Sequence, residues 1–93
     1  MIVGLLTLEL HIPHARSLKD KRQVVKKLKD RLRARFNIAV AELDHQDLWQ
    51  RSTVGAISLS NDQPYLAQLL ESVSNEAAQI LGGDLVDSRV EFL

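Results

Sequence analysis

The 93-residue sequence contains no cysteine, which removes disulfides and thiolate metal sites from consideration. Aromatics are scarce, with one Trp, one Tyr and two Phe, so a base-stacking surface of several rings has little to be built from. The four glycines fall in strands or at Gly82-Gly83, and no Gly-rich phosphate loop, linker or low-complexity tract is present. The opening MIVGLLTLELHIPHARS has no basic segment before its apolar stretch, which is too short and too strand-patterned for a membrane span. Neither a signal peptide nor a membrane partner is expected, and a reducing, cytoplasmic setting fits the lack of thiols. The length suits one domain, residues 1–93, burying about 60–65% of the surface of its unfolded chain.

What is present is segregated charge. The formal net charge is zero, yet ten of the twelve Lys and Arg lie between Arg16 and Arg35, accompanied by only Asp20 and Asp30. That stretch carries a net +8 and the rest of the chain −8, an asymmetry pointing to one face made for anions.

Hydropathy patterning orders the elements. Residues 2–11 alternate as a strand, with Ile2, Gly4, Leu6, Leu8 and Leu10 on one face. Pro13 ends it, and Ser17 is a good N-cap for a helix over residues 18–36, whose apolar residues Leu18, Val25, Leu28, Leu32 and Phe36 fall at helical spacing. Asn37 is the expected stop, as a residue tolerant of left-handed backbone. Residues 38–43 and 52–60 read as strands around a long connection, 44–51, with Gly55, Ile57 and Leu59 inward on the latter. Asn61 or Asp62 caps a second helix with Pro64 in its first turn; Gly82-Gly83 ends it, and residues 84–92 form the last strand. The order β-α-β-β-α-β predicts an α+β ferredoxin-like sandwich, two helices on one face of a four-stranded antiparallel sheet.

No catalytic constellation stands out. His11, His14 and His45, near Glu9, Asp44 and Asp47, match no zinc spacing, and the serines lack an elbow motif. No enzymatic activity, cofactor, metal or small-molecule substrate is expected. The first helix instead places Arg22, Lys26, Lys29 and Arg33 in one stripe, flanked by Lys19, with Arg16 just before it. Closely spaced cations on a rigid helix suit phosphate-backbone contact, with RNA or a ribosome as partner; the alternative is a solvated face paired by acids from elsewhere. The open sheet face is expected to show Val3, Leu5, Thr7, Ala39, Ala41, Leu43, Val54, Ala56 and Ser58, and without aromatics it does not suit base stacking. Such a face suits cover by a second subunit, a homodimer in which Asp47, Leu48, Trp49 and Arg51 take part. The favoured reading of Leu48 and Trp49 alone is a loop folded back over the sheet.

Two stretches together carry a family resemblance: Ser17 to Asn37 (SLKDKRQVVKKLKDRLRARFN) and Val40 to Arg51 (VAELDHQDLWQR). The chain resembles the YlxP-like family of bacterial proteins of unknown function over its whole length. The resemblance implies a ferredoxin-like sandwich of about this size with no established reaction. It also implies a gene neighbourhood of translation factors and ribosome-binding factor A. Ser17, Lys19, Lys21, Arg22, Asp47, Leu48, Trp49 and Arg51 match the family signature.

Overall fold

The alternation of residues 2–11 is realised as β1 (Ile2–His11) in a computed structural model that describes residues 1–93. Leu6, Leu8 and Leu10 point into the core. Ser17 then caps α1 (Leu18–Arg35), its hydroxyl accepting from the Asp20 N–H at 3.1 Å. Asp20 in the first turn and Arg33 and Arg35 in the last complement the helix dipole. The helix ends at an extended Phe36 (φ −126°, ψ 150°) rather than at a left-handed Asn37. Phe36 packs against the core there, and the chain straightens at once into β2 (Ala39–Asp44).

β3 (Arg51–Ser60) leads to α2 (Gln63–Leu81), where Asp62 accepts from the Tyr65 N–H at 3.1 Å and Pro64 occupies the first turn. Gly82, at φ 58°, takes the positive-φ position that closes α2. A single 3₁₀ turn over Gly82–Asp84 then delivers β4 (Leu85–Phe92). The sheet is antiparallel throughout, in the order β2-β3-β1-β4, with both helices on one face. This is the ferredoxin-like arrangement that the element order predicts.

Fifteen buried apolar residues form one core between the sheet and the helices. Full burial of a Leu or Val side chain stabilises by about 1.5–3 kcal/mol, so this cluster is the main favourable term. α2 lies so close to β1 that a Cβ on Gly4 would sit 2.6 Å from Leu70 Cδ1.

The facing of β3 differs from the expectation. Leu6 pairs with Ala56 and Leu8 with Val54, which puts Val54 and Ala56 in the core. Gly55, Ile57 and Leu59 therefore share the open face with Val3, Leu5 and Thr7. Both parities of β3 are apolar, so pattern alone leaves its facing open; the ten-residue pairing with β1 decides it, since a one-residue slip inverts a strand.

Candidate functional site

α1 is amphipathic in an unusual way. Its buried positions are Lys21, Val25, Leu28 and Leu32, so one cation of the basic run lies on the core stripe. Lys21 is 0% exposed, and its ammonium donates to the carbonyls of His45 (2.7 Å), Gln46 (3.1 Å) and, more weakly, Arg51 (3.4 Å). Its charge is met by Glu42 Oε2 at 3.0 Å, and Glu42 also accepts from the Ser52 hydroxyl. Three ammonium protons thus serve four acceptors, and no buried side-chain polar atom lacks a partner. Lys21 is not part of the solvent-facing positive surface.

The sequence carries a signal for this clamp. Lys21 stands four, seven and eleven residues before Val25, Leu28 and Leu32, and Glu42 follows Val40 at the inward parity of β2. Two opposite charges at core-facing positions of neighbouring elements make a buried pair the economical solution.

The remaining cations face solvent to different degrees. Arg22, Lys26, Lys29 and Arg33 share the flank of α1 beside β2, where they line a shallow groove with Val25, Asp30 and Glu42. Over eleven residues the stripe runs about 16 Å at the helical rise. Within it, Asp30 takes both Lys26 Nζ at 2.5 Å and Arg33 Nη2 at 2.9 Å. Hydrogen bonds from Lys26 first, and then Arg33, hold the Asp30 carboxyl below its ordinary pKa. Arg35 reaches across to Glu76 on α2 at 3.1 Å.

Arg16, Lys19, Arg22, Lys27, Lys29 and Arg31 make no ion pair. Of the expected contact residues, Arg22, Lys26, Lys29 and Arg33 are therefore brought together. Lys19 lies exposed on the same helix, and Arg16 stands before it, its backbone N–H bonded to Asp20 at 3.0 Å. α2, by contrast, carries Glu71 and Glu76 and no Lys or Arg.

The second group of candidates lies at the β2–β3 connection. Leu48 and Trp49 do not fold back over the sheet; they are 45% and 54% exposed. The loop is held from one side by Lys21. It is also tied to the end of β1, where Gln50 Nε2 donates to the carbonyls of Pro13 and Ala15 and the Ile12 N–H donates to the Gln50 carbonyl at 2.8 Å. These anchors fix the backbone and leave Leu48 and Trp49 projecting, where with His11, Gln50 and Arg51 they line a hollow at the end of the sheet. Asp47 is exposed in the same loop. No helix is long and apolar enough to cross a membrane.

A family model described as "Protein of unknown function (DUF503)" matches residues 3–90. The chain is 33% identical over 72 residues to the uncharacterized protein YlxP of Bacillus subtilis, covering 77% of this chain and 78% of that one. Among solved structures, a de novo designed protein with ferredoxin fold superposes with a TM-score of 0.53 at 8% identity, covering 100% of this chain and 83% of that one. A dimeric ferredoxin-like protein of unknown function from Thermobifida fusca superposes with a TM-score of 0.50 at 15% identity, over 98% of this chain and 90% of that one. At these identities the two structures share the fold with this chain and nothing more.

Proposed function

The chain belongs to the DUF503 family of proteins of unknown function, and from that premise we propose that it is a non-catalytic, RNA-associated module that holds phosphate backbone along α1. The observation that carries this reading is the Arg22–Lys26–Lys29–Arg33 stripe, in which Arg22 and Lys29 have no carboxylate partner and Lys26 and Arg33 share one. A helix fixes the spacing of these groups, so little is lost in ordering them against a row of phosphates.

The open sheet face bears no aromatic residue along its paired register, so bases have nothing to stack on there. Contact confined to phosphates is indifferent to sequence. Such binding suits a partner recognised by shape or location, such as structured RNA in a ribosomal particle.

The test is fluorescence anisotropy with a labelled single-stranded RNA over a salt series. Affinity is expected to fall with salt, and each lost phosphate contact to reduce the slope of log K against log salt by about 0.7. Arg22→Glu/Lys26→Glu/Lys29→Glu is expected to abolish binding while circular dichroism and the melting curve stay native. Binding that ignores both salt and the triple substitution overturns the reading.

A further inference from the structure

The face of the sheet opposite the helices has the wrong chemistry for water. An antiparallel sheet with one solvated face ordinarily alternates apolar inward and polar outward. Here the outward positions of β2 and β3 include Ala39, Ala41, Leu43, Gly55, Ile57 and Leu59, and Leu43, Ile57 and Leu59 remain 51%, 40% and 64% exposed. Leu43 lies flat over Gly55, where a Cβ would sit 2.5 Å from its Cδ1. We propose that this face is the contact between two copies of the chain. The copies pack sheet to sheet about a two-fold axis with strands running oppositely, so that the Leu48-Trp49 loop of each covers the Val3–Leu59 end of the other.

Area sets the first condition. The four strands hold 10, 6, 10 and 8 residues, which at about 3.4 Å per residue and about 4.8 Å per strand gives a footprint of roughly 550 Å² per copy. Both copies together bury about 1,100 Å², just under the lower bound of about 1,200 Å² for a stable interface of standard size. The sheet alone is therefore marginal, and the projecting loop supplies the rest, since a tryptophan offers about 150–250 Å². Leu59 and Trp49, 64% and 54% exposed, flank opposite ends of β3. An antiparallel two-fold brings one onto the other twice.

Charge points to a second copy as the occupant. The chain has zero net charge, so two copies do not repel at long range. On the same face β4 presents the row Asp87, Arg89, Glu91, paired with Glu9, Thr7 and Leu5 of β1. The two-fold that lays Trp49 over Leu59 passes at the level of Val54, Leu8 and Ser88, and so sets each Arg89 against the partner copy's acid at position 87, the self-complementarity an isologous contact requires. In the single chain Arg89 has only loose partners, Glu9 and Asp87, each at 3.8 Å. α1 lies on the opposite side of the sheet, so this contact leaves the basic stripe free and stands or falls independently of RNA binding.

Sedimentation velocity at high micromolar concentration tests the proposal, with Trp49 emission as a second readout. The wild type is expected at twice its 10.5 kDa chain mass, with emission that shifts to the red on dilution. Leu59→Asp, at a position exposed in the single chain, is expected to weaken the dimer at least about 30-fold, the equivalent of one hot spot, with a native melting curve. Arg89→Glu is expected to weaken it as well, and Arg89→Glu/Asp87→Arg to restore it. A wild-type monomer overturns the proposal; so does a dimer indifferent to Leu59→Asp, or an exchanged pair that fails to recover.

Discussion

Lys21 and Glu42 form an ion pair at 3.0 Å, with the lysine wholly inside the protein and the carboxylate nearly so. The pair joins α1 to the edge strand β2, and the ammonium's remaining bonds hold the loop that carries Trp49. One residue thereby fixes the position of both candidate surfaces, the basic helix and the projecting loop.

Replacing Lys21 by Met is expected to destabilise the fold by about 3–5 kcal/mol, because Glu42 and the loop carbonyls are left without their cation. Urea denaturation measures this. Lys21→Met/Glu42→Leu is expected to recover much of the loss, since an apolar pair of similar volume avoids burying either charge. The single variant should also show faster hydrogen exchange at the Leu48 amide, which donates to the His45 carbonyl at 3.0 Å.

Two glycines in adjacent strands are expected to respond differently to the same substitution. A methyl group at Gly4 meets Leu70 and Leu66, both fully buried and unable to move; Gly4→Ala is expected to cost about 1–3 kcal/mol by overpacking. A methyl group at Gly55 meets only Leu43, which is half exposed and can swing outward. Gly55→Ala is therefore expected to leave thermal stability almost unchanged while lifting Leu43 off the sheet. Paired melting curves, with the oligomeric state of Gly55→Ala, check both statements.

Asp30 is the one acid inside the basic stripe, and its carboxyl is held below its usual pKa by Lys26 and then Arg33. A depressed value means that the ionised form stabilises the fold above the ordinary carboxylate range of about 4, and that this contribution fades as pH falls through the lowered value. An NMR titration of the side-chain carboxyl should therefore give a midpoint below the ordinary aspartate value of about 4. Asp30→Asn releases Lys26 and Arg33, and is expected to raise RNA affinity several-fold at low salt and steepen the salt dependence. Unchanged affinity would mean that these two cations do not touch phosphate.

Much of the architecture is legible in the sequence because local and global signals agree. Ser17 and Asp62 cap as their positions suggest, Pro64 opens α2, and the alternation of β1 gives its inward face. The facing of β3 is not legible, because Val54 and Ala56 compete with Ile57 and Leu59 and only pairing with β1 breaks the tie. Trp49 is misjudged for a related reason: its exposure depends on anchors distant in sequence, Lys21 from α1 and the carbonyls of Pro13 and Ala15. The cation count likewise treats Lys21 as equivalent to its neighbours, although its place on the apolar stripe of α1 sets it apart.

The uneven loading of the two helices, cations crowding α1 while α2 holds only acids, gives a neutral molecule a permanent dipole moment across its helical layer. A polyanion therefore exerts little net pull on it from afar, yet applies a torque once the two are within a Debye length, about 8 Å at physiological ionic strength. Rotation precedes contact, and productive collisions become a larger fraction of all collisions as the screening length grows.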